Sequence, residues 1–272
     1  MKKDRVLRKP VQAIHCSGNV SLIGRKMFNI MLWQALKTDK ELGPEKYKIS
    51  EDLLLKYTNI SKNNADYLRK LVNQVKELMQ TVVEWNLQED GKKEWGCSAL
   101  LGSLKYIDQG VIEYSFPIHL RELIVQNNIF GVIHLGVARK FKSKYSIALY
   151  ELCCRYKNVG TTGYIQIEKL REMFGVVGYK EYRDFNKWVI KKAITEINKF
   201  SDLNVEAVPK KKGKKIDRIK FIINKNSGIE YLVPDTNNDS TPQTITDDQV
   251  EKNKQKLKEL REKLNGKEKE EK

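Results

Sequence analysis

Six prolines, four cysteines and three histidines in 272 residues exclude several chemistries. Cys16, Cys97, Cys153 and Cys154 lack metal-ligand spacing, and the adjacent pair reads as part of a buried helix face. Without a disulfide framework, a reduced, cytoplasmic protein is the expectation. His15, His119 and His134 stand apart in the chain, so no paired-histidine metal motif exists, and His119 and His134 read as structural. No G-x-x-x-x-G-K-[ST] loop occurs, and Gly175-Val176-Val177-Gly178 has no Lys-Ser/Thr after it. No apolar run approaches the roughly 20 residues of a membrane span. The basic start is not followed by the apolar segment of a secretory signal. These gaps point to a non-enzyme with no cofactor, no metal and no membrane partner.

What the chain has is positive charge, unevenly spread. The formal net charge is +16. Residues 1–138 hold 20 Lys+Arg and 15 Asp+Glu, net +5; residues 139–225 hold 22 and 9, net +13; residues 226–272 hold 9 and 11, net −2. A block of fewer than a hundred residues carrying +13 should bind a polyanion, with nucleic acid the first candidate.

The densest signal lies at residues 180–200. At helical spacing, Phe185, Val189, Ile190, Ala193 and Ile197 share one side. Lys180, Asp184, Lys187 and Lys191 share the other. An apolar alternation at 203–208 follows as a strand. Then come Lys210, Lys211, Lys212, Gly213, Lys214 and Lys215, and a second alternation at 216–223. Helix, strand, basic glycine turn, strand is the order of a winged helix-turn-helix, whose long helix can enter a major groove while the hairpin tip touches the backbone.

The rest of the chain is read around that unit. Residues 1–20 are expected to form a flexible basic arm. Ser21 caps a helix bearing Phe28, Met31, Leu32, Ala35 and Leu36, and Gly43-Pro44 ends it. Ser50 caps a short helix through Lys56, and Ser61 starts a long one to about Gln80. Strands are expected at 81–87, 97–107 and 111–116, with an Asp90-Gly91 turn. A helix runs near 118–125 and a strand over 130–137. Beyond Lys140, Ser143 opens a helix with Tyr145, Ala148, Leu149, Leu152 and Cys153 inward. Residues 160–163 form a loop and 165–174 a short helix. Residues 226–272 read as a disordered linker and charged tail.

The two halves match each other. With a shift of 180 − 62 = 118, Lys62 meets Lys180, Asp66 meets Asp184, Arg69 meets Lys187, Val72 meets Ile190, Asn73 meets Lys191 and Met79 meets Ile197. Polar and apolar faces are both reproduced, and each helix leads to a strand and a glycine turn, at Gly91 and Gly213. The first tip, residues 89–94, is close to neutral; the second carries five lysines. The expected fold is α+β and helix-rich: two tandem winged helix-turn-helix domains, over 21–138 and 139–225, related by an internal repeat. The second should grip DNA harder, and the first divides its surface between DNA and protein.

Ser143-Lys144-Tyr145, Leu149-Tyr150-Glu151-Leu152, Tyr182-Arg183-Asp184-Phe185, Val189-Ile190, Ala193, Glu196-Ile197-Asn198, Gly213-Lys214 and Phe221 resemble the theta-type, iteron-binding plasmid replication initiators. The resemblance covers about residues 21–224. It implies two winged helices on one short direct repeat of double-stranded origin DNA, and docking of a host initiator and the replicative helicase. It also implies a homodimer, joined through the N-terminal domain, that represses its own gene. A winged-helix transcription repressor without initiator activity is the alternative. The candidate DNA contacts are Lys62, Arg69 and Asn73 in the first half. In the second they are Lys144, Lys180, Arg183, Lys187, Lys191, Lys210, Lys211, Lys212, Lys214 and Lys215.

Overall fold

Residues 6–10 are a strand, not a free arm. A computed structural model describes residues 5–10, 14, 20–38, 46–89, 92–107, 110–125 and 130–227, and for 86–89 and 92–94 the backbone alone. The strand β1 (Val6–Pro10) pairs antiparallel with β7 (Phe130–His134), with Val6 opposite His134 and Pro10 opposite Phe130. Leu7 and Lys9 are buried by this pairing. A strand carrying two lysine or arginine side chains and two apolar ones reads as polar in sequence, which hides it.

The first half then runs α1 (Leu22–Thr38), β2 (Tyr47–Ser50), α2 (Glu51–Thr58) and α3 (Tyr67–Gln80). Ser21 Oγ accepts the Gly24 N–H at 3.1 Å, and the α3 residue Glu77 takes up the Ser21 hydroxyl at 2.7 Å. Ser50 Oγ caps α2 by accepting the Leu53 N–H at 3.3 Å. Helix α3 starts six residues later than its sequence suggests. Ser61 Oγ binds the Asn63 N–H, and Asn64 Oδ1 binds the Asp66 N–H. Such side chain-to-backbone bonds hold residues 61–66 in turns instead of a first helical turn.

After α3 come β3 (Val82–Glu89) and β4 (Lys92–Ala99), paired as their own hairpin as far as Glu89 opposite Lys92. Asp90-Gly91 itself lies outside the described residues. The expected strand at 97–107 is broken at Leu100–Gly102 into β4 and β5 (Ser103–Ile107). The latter joins β6 (Val111–Ser115) and β2 in a second sheet of order β2-β6-β5. Helix α4 (Ile118–Val125) leads to β7, and residues 135–137 turn helical as α5 (Leu135–Lys140) instead of prolonging the strand.

The second half is α6 (Lys144–Tyr156), β8 (Thr161–Gln166), α7 (Ile167–Phe174), α8 (residues 182–200), β9 (Leu203–Lys212) and β10 (Lys215–Lys225). The glycine-bounded segment 160–163, read as a loop, supplies the start of β8. This strand lies against β10 in the order β8-β10-β9. Here the strand between the first two helices joins the wing hairpin. In the first half β2 pairs with β6 and leaves the β3–β4 hairpin separate.

Both halves lie in one compact unit, Met1–Tyr231, and α6 is its centre. Every residue from Ser146 to Cys154 is buried, so this helix has no solvent face. One side packs on β7, where a Cβ on Gly131 would lie 3.0 Å from Ile14 Cδ1 and 3.2 Å from the Arg155 backbone nitrogen, a tight approach. The helix also packs on α8.

Candidate nucleic-acid interface

The long helix α8 is one continuous run with a change of pitch inside it. An α turn, Tyr182–Phe185, passes into a π segment, Asn186–Lys191, and returns to α-helix over Lys192–Phe200. The change of pitch fits the packing. Phe185, Val189, Ala193 and Ile197 recur every four residues, and all are fully buried, as is Ile190. A pure α-helix of 3.6 residues per turn would carry such a row around its axis. A π turn holds more residues, so inserting one cancels the drift. The same correction keeps Arg183, Lys187, Lys191 and Thr195, also four apart, in a straight exposed row on the outer side.

The entry to α8 is held by Arg171 of α7. Its Nη1 donates to the Gly178 carbonyl at 3.2 Å, and its Nη2 to those of Tyr179 and Lys180 at 2.7 and 3.1 Å. Its guanidinium also lies 4.4 Å from the Phe185 ring centroid. Gly175, left-handed at φ 58°, closes α7 by donating its N–H to the last carbonyls. Helix, turn and helix are therefore fixed relative to each other, with Lys180 exposed at the N-terminal end of α8.

The wing is a ribbon of exposed lysines. Lys212 and Lys215 are cross-strand partners and so share a face of the hairpin, and Lys210 falls on that face too. Lys211 faces the other way, and Lys214 sits in the turn beside Gly213, whose φ is 62°. Register also brings residues that the sequence reading passed over. Arg218 is opposite Lys210, and Lys220 is opposite both Val208 and Tyr164. The Lys210 and Lys220 ammonium groups lie 5.1 and 5.2 Å from the Tyr164 ring centroid. Trp188, half exposed on α8 with Lys187 Nζ 4.6 Å from its ring, is a further addition. Strand register, absent from a linear reading, is the signal for the first group. The π segment hides the second.

Two of the candidate lysines are otherwise engaged. Lys144 Nζ donates to the Gly175 carbonyl at 2.8 Å, and burial pulls its pKa down. Lys62 precedes α3 and is held by Asp52 at 2.7 Å and Glu51 at 2.9 Å, hydrogen bonds that push its pKa up. Arg69 and Asn73 are exposed on α3, with Arg69 paired to Asp66 at 2.9 Å. The repeat correspondence fails at Val72, and at Leu78, which is buried where its counterpart is Glu196. Val72 is 44% exposed, whereas its counterpart Ile190 is buried. Helix α3 has no π segment, so its core row is Leu71, Val75 and Leu78, and Val72 turns outward with Leu68.

Among the described residues no cluster of three or more His, Cys, Asp or Glu is placed to hold a metal, and no helix is long and apolar enough to cross a membrane. His134 is buried next to α6, its backbone N–H donating to the Tyr150 hydroxyl at 3.3 Å; His119 is exposed and meets Glu122 at 3.2 Å.

Two helix-turn-helix units, each followed by a hairpin, with a basic row and a basic ribbon on the second, define a tandem winged-helix DNA-binding protein. Family models described as "Initiator Replication protein, WH1" and "Initiator Rep protein, WH2" match residues 6–154 and 166–223. The chain belongs to this family of replication initiator proteins. A "Replication initiation protein" of Escherichia coli is 26% identical over 204 residues, 70% of this chain and 61% of that protein. The present chain thus spans under two thirds of that relative's length. The fold is shared with a solved structure, "Crystal structure of Pi initiator protein in complex with iteron DNA", at TM-score 0.64 and 20% identity, covering 84% of this chain and all of the other.

Proposed function

We propose that this protein is a plasmid replication initiator that binds short direct repeats in its origin through both winged helices. The observation that carries the reading is the pairing of α8's straight outward row, Arg183, Lys187 and Lys191, with the lysine ribbon of the wing. Together they match the anionic wall of one groove and the adjoining backbone. The fold shared with a protein solved on iteron DNA supports the choice of direct repeats. In the first half Arg69 and Asn73 are the base-reading candidates, since each can bond two atoms of one base. Lys62 and Lys144, engaged within the protein, are left out of the contact set.

The first half contributes to protein contacts as well. Leu68, Val72, Val82 and Trp95 are exposed on α3 and its hairpin. That supports the dimer inferred from the family resemblance, in which the protein represses its own gene, while the DNA-bound monomer opens the origin and recruits the host initiator and helicase. The test is a plasmid carrying this gene and the DNA that flanks it. Replication in a host lacking other initiators, lost when the flanking repeats are scrambled, is the expected result. Repression of its promoter without replication would leave a transcription repressor instead.

A further inference from the structure

A buried ionic cluster between the halves lies away from the DNA-facing row and wing. Glu151, in the centre of α6, is 0% exposed. Its Oε2 accepts from Lys9 Nζ of β1 at 2.9 Å and lies 3.7 Å from Arg25 Nη1 of α1. Its Oε1 accepts from Asn29 Nδ2 of α1 at 2.6 Å. Lys9, Arg25 and Asn29 are all at or below 2% exposed. Arg25 reaches on to the Met173 carbonyl in α7 at 3.3 Å. Thus one carboxylate on the helix leading the second half is gripped from three directions by the first.

The connecting segment is clamped from both sides too. Lys26 of α1 donates to the Arg139 and Phe141 carbonyls, both at 2.8 Å. Asn59 and Arg139 exchange two hydrogen bonds of 2.9 Å. From the other half, Glu196 of α8 accepts the Lys142 and Ser143 N–H groups at 3.0 and 3.4 Å. Buried charged groups are poor sources of net stability, but they hold a geometry, because any displacement strands a charge in a medium that cannot solvate it.

We infer that Glu151 is a positioning residue for DNA recognition: by fixing α6 against β1 and α1, it sets the separation of α3 and α8 and thereby the length of DNA site the protein accepts. This rests on the two-helix reading proposed above. Insertion of two base pairs between the contact blocks would turn one block by roughly 70° about the axis, at 10–10.5 base pairs per turn. A rigid protein cannot follow that rotation.

The test uses the full chain. A random duplex library is selected on wild type, and the two conserved blocks and their spacing are read out. Wild type, Glu151→Gln and Lys9→Met are then titrated on duplexes in which that spacing is changed by one or two base pairs. The expected result is a single spacing for wild type, with a penalty of roughly tenfold or more for two added base pairs. That penalty should fall below about threefold in the variants, each block alone still being bound. Lys9→Met leaves Arg25 and Asn29 on Glu151, so it reports on the cluster should Glu151→Gln not fold. A wild type that accepts several spacings, or a variant that melts cooperatively and keeps the full penalty, overturns the inference. Selection of no conserved sequence, or of a single block, defeats the two-helix reading itself.

Discussion

Removing the wing lysines should change how salt weakens DNA binding, by an amount the hairpin register sets. Of Lys210, Lys211, Lys212, Lys214 and Lys215, the pairing of Lys212 with Lys215 places three, Lys210, Lys212 and Lys215, on one face. A phosphate backbone meets one face of a ribbon at a time. Each phosphate neutralised adds about 0.9 to the slope of log K against log salt, so three lysines account for about 2.7. Between 50 and 200 mM salt, wild type should lose about 40-fold more affinity than a variant with all five lysines replaced by alanine. Backbone contacts do not choose a sequence, so the ratio of specific to scrambled-duplex affinity should hold. Fluorescence anisotropy on both duplexes at four salt concentrations measures this. A collapsed specificity ratio with an unchanged slope would refute the reasoning, since the wing would then be reading bases.

Other outcomes follow from single contacts. Arg69→Ala should cost about 1–3 kcal/mol on the native repeat and relax choice at one base position; a full-length footprint and unchanged affinity in an Arg69→Ala, Asn73→Ala variant would confine the first half to protein contacts. Arg171→Ala should destabilise by about 1–2 kcal/mol and weaken specific binding without altering the salt slope, by releasing the entry to α8. Arg171→Lys should not rescue it, because a single ammonium nitrogen cannot span the carbonyls that Nη1 and Nη2 reach separately; recovery by lysine would argue for charge alone. Burial lowers the Lys26 pKa from 10.5 to about 8, with the Glu196 charge opposing and Arg139 assisting. Above pH 8 the unfolded chain therefore binds the extra proton and the folded one does not. Stability should rise with pH from about 8 to 10.5, by up to about 3 kcal/mol. Lys26→Met should lack that rise in a series of thermal melts, and an identical pH profile in the two proteins would remove Lys26 as its source.

The second half was legible because its patterns are local. The period of four in α8, the lysine-glycine tip and the two flanking alternations all lie within 182–225, and each element formed within a few residues of its expected place. Where expectation failed, a distant partner decided. β1 exists because β7, about 120 residues away, pairs with it, and β8 because β10 does. The helix expected from Ser61 yielded to bonds between Ser61, Asn64 and nearby N–H groups. For the candidate contacts, residue type alone could not separate exposed Lys187 from Lys144, whose ammonium is used by Gly175, or from Lys62, used by Glu51 and Asp52. The exposure of Val72 was hidden for a subtler reason: two helices with matching letters differ in pitch.

The burial of α6 on all sides also bears on how such a protein can diversify. Two winged helices with separate cores could be exchanged between relatives by recombination in the linker. Here a crossover between residues 139 and 166 would part α6 from its native β7 or from its native α8. A crossover ahead of α6 would also have to preserve the match of Glu151 to Lys9, Arg25 and Asn29. New binding preferences should therefore arise by substitution along the exposed row of Arg183, Lys187 and Lys191, where no partner in the core must change in step. Lineages of this protein should inherit their two halves together.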